Sequence, residues 1–226
     1  MKQQPINPKV LSFFKKLEKN NNREWFLENK TDFKSLETEI KTFGKELFDG
    51  LSAHDSLEKW KIFRIYRDVR FSKNKTPYKT HFGMSFHRTK PQLRGGYYLH
   101  ISPSSSFLAC GFWDPNPADL LRVRKEMEVS GEEFRKLIKT PNFKSVWGDL
   151  VGDELKTCPK GFDKTHPEIE LLRKKQYLFS IQFSDQEVLH DNFINVVNEA
   201  IKEVRPFVNF MTEVLTTDLN GESLLK

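Results

Sequence analysis

The chain has 226 residues, 37% of them hydrophobic with 20 phenylalanines, and a net charge of +6. That apolar content builds a sizeable core and excludes a disordered chain. No apolar run reaches the roughly 18 residues of a membrane span, and residues 1–8 lack the apolar stretch of a secretory leader, so a cytoplasmic protein with no membrane partner is expected. The two cysteines, Cys110 and Cys158, form no CxxC pair and are expected as small apolar side chains rather than a disulfide.

In chain order, a helix starting near Pro8 carries Val10, Leu11, Phe13, Phe14 and Leu17. The asparagine run at 20–22 ends it and caps the next helix. That second helix aligns Phe26, Phe33, Leu36, Ile40, Phe43, Leu47 and Leu51 on one face, with Gly50 as its stop. From Ile62 the period changes to two. Phe63, Ile65, Val69 and Phe71 alternate with polar residues and predict a strand, followed by a loop at 72–79. Phe82, Met84 and Phe86 predict a second strand, and 97–101 and 107–113 two more, an antiparallel meander. Asn116 and Pro117 read as an N-cap and first helical residue, and Ser130 with Glu133 as a capping box opening a further helix. Residues 141–165 are irregular, 167–174 form a short helix and 176–183 a last strand. Ser184 and Glu187 form another capping box before a final helix carrying Leu189, Phe193, Val197, Ile201 and Val204, kinked or restarted at Pro206. The expectation is one α+β domain over 1–226: helical at 8–51, sheet and basic loop at 62–113, helices and irregular chain at 116–175, a strand at 176–183 and helical at 185–215. An antiparallel sheet of about four to six strands is flanked by N- and C-terminal helices.

The charge is unevenly spread. Residues 59–94 hold eleven basic residues against one acid, Asp68, a local +10 that leaves −4 for the rest of the chain. On the predicted strand Arg67 falls on the apolar face, where a guanidinium needs an anionic partner. Arg64, Tyr66, Asp68 and Arg70 share the other face, with Asp68 placed to orient Arg70. A helical reading of 63–71 instead pairs Arg64 with Asp68 one turn apart. The loop adds Lys73, Lys75 and Lys79, with Thr76 and Tyr78 as hydroxyl donors. Two accounts compete: a solvated face ion-paired to the acidic remainder of the chain, and a site for a phosphate-bearing anion built from Arg64, Arg67, Asp68, Arg70, Lys73, Lys75, Thr76, Tyr78 and Lys79. The partner is then an anionic small molecule or a nucleic acid. The same cradle serves phosphoryl or phosphodiester chemistry if Asp68, His81 or His166 acts as acid or base, or a nucleic-acid-binding module with a flat basic surface.

Other chemistries find little support. HExxH, GxSxG and cysteine–histidine zinc spacings are absent, and His81 and His87 lie roughly 20 Å apart along one strand, so no metal site and no cofactor is assigned. Asp163 and His166 fit turn-forming roles. Trp25, Phe26, Phe112 and Trp113 read as core. Tyr97 and Tyr98 split across the two strand faces, one of them free to stack on a base.

The string 63–81, together with Asn21-Asn22-Arg23-Glu24-Trp25-Phe26, Gly111-Phe112 before Pro115, and Pro159-Lys160-Gly161 with His166-Pro167, resembles in order the motifs of the family termed domain of unknown function 2461. The resemblance runs from about residue 8 to 210 and implies a single domain and a bacterial-type cytoplasmic protein; it supplies no catalytic residues, substrate or cofactor. Asn74 stands where the family pattern has an acid, which makes the loop more positive and weakens a metal-based scheme there.

Overall fold

The computed structural model describes residues 5–225; the leader reading of residues 1–4 falls outside them. Helix α1 (Pro8–Lys19) starts where the Asn7 side chain accepts from the Lys9 N–H, and it buries the five apolar residues the spacing selects. Asn22 caps α2 (Arg23–Glu28) by accepting from the Trp25 N–H at 2.9 Å. The single second helix expected from the sequence is two. Asn29 ends α2, its amide donating to the Trp25 carbonyl at 2.8 Å, and α3 (Lys30–Ser52) then runs past Gly50. Gly50 is a packing glycine, not a stop: a Cβ there would meet the Asn198 amide at 2.8 Å.

Strands β1 (Leu57–Ile62), β2 (Phe82–Arg88), β3 (Gly96–Ile101), β4 (Ser106–Phe112) and β5 (Tyr177–Phe183) form one five-stranded antiparallel sheet in the order β1-β2-β3-β4-β5. With helices before, between and after the strands, the fold is α+β. Asn116 caps α4 (Pro117–Ile138) by accepting from the Asp119 N–H at 3.0 Å. Ser130 separates two helical stretches within α4. It marks a kink, with φ −120° and ψ 21°, inside α4. Two short helices follow, α5 (Pro141–Trp147) and α6 (Ile169–Leu172). The Ser184–Glu187 capping box forms at α7 (Asp185–Val188), and α8 (Phe193–Thr216) carries Pro206 inside it.

The chain forms two compact units. The first comprises Met1–Phe86, Tyr98–Leu108 and Gln182–Glu199. Its core is aromatic: Phe82 packs against Phe14 and Phe33, and Phe193 against Phe43 and Phe183. The second comprises His87–Tyr97, Ala109–Ile181 and Ala200–Lys226. There Phe207 packs against Phe112, Phe134 and Phe179, and the Trp147 indole N–H donates to the Ala200 carbonyl at 2.8 Å. Gly111, at φ +129°, lies so close to the β5 backbone that a Cβ would meet the Tyr177 carbonyl at 2.2 Å, which only glycine tolerates.

The strand predicted at 63–71 is not formed. The regular strand lies just before it, and 63–79 is a two-armed loop. The loop is joined by Phe63 N–H to Gly83 O, Lys79 N–H to Ile65 O, Arg67 N–H to Pro77 O and one bridge between Tyr66 and Tyr78. The alternation fails because only its first half is covered. Ile65 is buried, Val69 is half-buried and Phe71 is 96% exposed. Among the described residues no helix is long and apolar enough to cross a membrane.

Candidate functional site

The basic segment divides into cations that the fold already uses and cations that it leaves available. Arg70 grips Asp68 through two hydrogen bonds of 3.0 and 2.7 Å, and these hold the Asp68 carboxyl below its usual range. Arg67 is half-buried, but no carboxylate among the described residues meets it. Its guanidinium donates to the Thr76 carbonyl at 3.2 Å and to the Thr76 hydroxyl. Thr76 is in turn fixed by Asn74, which accepts from its N–H and its hydroxyl. Lys75 donates to the Val69 carbonyl at 2.9 Å and closes the loop on itself. Tyr78 is buried and stacked on Phe26 with centroids 4.1 Å apart, and its backbone exchanges two hydrogen bonds with the Asn21 side chain. Burial, and after it the nearby Tyr66, raises the Tyr78 phenol's pKa. Arg88 and Arg94, in the second unit, clamp α8 and α4. Arg88 is 2% exposed and donates to Val208 O, Thr212 Oγ1 and Asn209 Oδ1, while Arg94 reaches Asp119 and Leu215 O.

What remains is a cluster in the first unit. The Lys61 and Lys79 ammonium groups lie 5.2 and 5.4 Å from the centroid of one ring, Phe63. Arg64 stands close enough that burial, then Arg64, then Lys61 together depress the Lys79 pKa. None of the three forms an ion pair with a carboxylate among the described residues, although the charge of Arg64 reaches Asp68 at longer range. The exposed Lys73 completes the set of uncommitted cations in the loop. The contrast with the second unit is instructive. A cleft of about 310 Å³ there is also lined by cations, but Arg135 pairs with Glu168 and Glu170, and Arg173 and Lys174 with Glu154.

Beside the cation cluster lies a group of rings that sequence reasoning did not assemble. In β1, Trp60 turns to the helix side, stacking on Phe86 and filling the space beside Gly44 of α3. Lys61 and Phe63 do not share a face with it, because strand neighbours alternate. On β2 and β3 the alternation buries Phe82, Met84, Phe86, Leu99 and Ile101 and leaves Ser85, Tyr98 and His100 half-buried, as are His81 just before β2 and Phe107 on β4. His81 and His100 lie with centroids 4.0 Å apart, and His100 stacks on Phe107 at 4.6 Å and 14°. The Tyr98 hydroxyl sits 3.1 Å from His100 Nδ1. Burial holds both imidazoles at a pKa of about 4, His81 also through His100 and Lys79, so both are neutral near pH 7. Burial raises the Tyr98 phenol.

Gly83 makes room for this arrangement: a Cβ there would meet the Tyr98 hydroxyl at 2.5 Å and its ring at 3.2 Å. Gly83→Ala is therefore expected to push the Tyr98 ring aside at a modest cost of about 1 kcal/mol. Near-ultraviolet circular dichroism should change more than Tm, and an unchanged aromatic spectrum would show that Tyr98 does not lean on Gly83.

The remaining candidates are dispersed. Asp68 is held by Arg70. His166 belongs to the second unit, where its Nδ1 accepts from the Glu168 N–H at 3.1 Å, and Asp163 accepts from Thr165 in a turn. Cys110 is buried and Cys158 half-buried, and neither forms a disulfide. No group of three histidine, cysteine, aspartate or glutamate side chains able to hold a metal occurs among the described residues.

The model of a family of conserved hypothetical proteins, DUF2461, matches residues 9–210. The chain belongs to this family. None of the curated proteins compared with this DUF2461 chain matches it. The matched region contains both the cation cluster and the ring group, so both are parts of the DUF2461 domain itself.

Proposed function

We propose that this protein binds a phosphate-bearing anion in the cytoplasm, through Lys61, Arg64 and Lys79 at the rim of the sheet. The supporting observation is that Lys61 and Lys79 converge on Phe63 with Arg64 near Lys79, and that none of the three pairs with a carboxylate among the described residues, while Arg67, Arg70, Lys75, Arg88 and Arg94 are occupied within the fold. Like charges held together beside a half-buried ring repel one another, and an anion relieves that cost. Of the residues selected from sequence, Arg64, Lys79 and Lys73 remain as ligand contacts. Arg67, Asp68, Arg70, Lys75, Thr76 and Tyr78 then serve to shape the loop. Two cysteines outside any disulfide fit a reducing compartment.

The test is thermal unfolding with inorganic pyrophosphate. At about 100 times its dissociation constant a ligand stabilises by about 2.7 kcal/mol, a shift of roughly 5–10 °C for a chain of this size. The triple variant Lys61→Met, Arg64→Met, Lys79→Met is expected to lose that shift and to keep or raise the unliganded Tm. The variant Arg70→Met is expected to keep the shift. A triple variant that still responds like the wild type sinks the assignment.

A further inference from the structure

The cation cluster borders a surface suited to more than phosphate. Among the described residues, the ring contacts of Phe63, His81, Tyr98, His100 and Phe107 are all made with one another, whereas Phe82 on the opposite sheet face meets Phe14 of α1 and Phe33 of α3. Tyr98 leans over Gly83 at the centre of the group. Phe63 stands on one side of it, centroids 6.1 Å away and tilted by 58°, and Phe107 on another, 5.7 Å away and tilted by 45°. The result is a patch of five half-buried rings. The two histidines add ring nitrogens to it as neutral hydrogen-bonding groups, with no carboxylate partner among the described residues.

We propose that this sheet face binds single-stranded nucleic acid, with bases against Tyr98 and the His100–Phe107 stack and phosphates on Lys61, Arg64 and Lys79. The proposal rests on the phosphate-binding reading above and names its ligand. Charge complementarity selects the occupant. Two cations lie on Phe63 within the ring group, Arg64 stands near Lys79, and none of the three pairs with a carboxylate among the described residues, so a strand's phosphates meet positive charge where its bases meet rings. Planar rings on an open sheet beside such cations match the way unpaired bases are held, since every base offers a face for stacking. A free nucleotide is better served by an enclosing pocket that buries most of its surface. A duplex hides its base faces.

The experiment is fluorescence anisotropy on the full chain with a labelled oligothymidylate of roughly 12 nucleotides, an abasic strand of equal length and charge, and a duplex. Pyrophosphate and thymidine monophosphate serve as competitors. The oligothymidylate is expected to bind more tightly than the abasic strand by roughly five- to 150-fold for each base stacked. Its affinity should fall steeply between about 50 and 200 mM salt. Tyr98→Leu is expected to erase the margin over the abasic strand while leaving abasic binding unchanged. The wild-type comparison decides the matter even if that variant folds poorly. Equal binding of thymidylate and abasic strands overturns the base contact and leaves phosphate binding standing. Preference for the duplex, or competition by the monophosphate at the same base concentration, overturns the single-strand assignment. Failure of all strands and of pyrophosphate to bind overturns both readings.

Discussion

Replacing Arg88 with methionine should lower the stability of the protein by about 3 kcal/mol, a fall of roughly 10 °C in Tm, whereas Arg64→Met should leave Tm within about 1–2 °C. Both arginines belong to the same basic stretch, and their environments make them opposites. Arg88 is 2% exposed, and its guanidinium satisfies a carbonyl of α8, Val208 O at 3.2 Å, together with Thr212 Oγ1 at 3.1 Å and Asn209 Oδ1 at 2.7 Å. Methionine fills much of the volume but donates nothing, so the buried Val208 carbonyl and Thr212 hydroxyl each lose a donor in a place shut off from water. The damage extends to Arg94, whose backbone N–H donates to the same Thr212 hydroxyl at 3.0 Å. Arg64 lies exposed with no ion pair among the described residues, so removing it strands no buried partner. Urea denaturation of the two variants under identical conditions measures the difference. Equal losses would mean that Arg64 is structural too, and the distinction between cations used by the fold and cations left for a ligand would collapse.

That distinction marks where sequence reasoning succeeds and where it stops. The caps are short-range chemistry, so Asn22, Asn116 and the Ser184–Glu187 pair are legible directly, and each is found at its helix start. The apolar faces of α1 and α3 follow from periodicity for the same reason. The strand at 63–71 was also a periodicity argument, and it fails because alternation says which side is apolar but not whether anything covers it. Nothing in the local sequence states that Phe71 stays 96% exposed. Nor does it state that Asn21, 57 residues before Tyr78, ties that arm of the loop with two side-chain hydrogen bonds. Gly50 reads as a helix stop until Asn198 is seen beside it. The ring group is the same lesson in reverse. Tyr98, His100 and Phe107 lie in strands that the sequence predicts, but the meeting of His81 with His100 depends on strand register, which depends on turns whose geometry the composition does not encode.

The histidine pair gives the protein a pH dependence of definite sign. His81 and His100 both titrate at about 4 in the folded chain against an ordinary 6.5, because burial disfavours the imidazolium. His81 is opposed further by His100 and by Lys79, while His100 has Tyr98 and Phe107 as its other neighbours. Between pH 6.5 and 4 the unfolded chain therefore binds more protons than the folded one at these two positions. Their contribution to stability is complete above the upper limit and is lost progressively as pH falls to the lower one. The lowered carboxylates, Glu37, Asp68, Asp163 and Glu187 among them, start from ordinary values of 4.5 or 3.8. The upper part of the window accordingly belongs to the histidines. Tm measured at successive pH values across that range should fall in the wild type and fall less in the variant His81→Gln, His100→Gln; parallel curves would show that the pair does not titrate as described. An anion seated on Lys61, Arg64 and Lys79 would favour the imidazolium forms beside it, so anion binding and proton uptake become linked. Sulfate, whose charge is constant over this range, should then stabilise the wild type more at the acid end than at neutrality. The histidine variant should show an equal sulfate shift at both ends, which ties the two halves of the site to each other in one measurement.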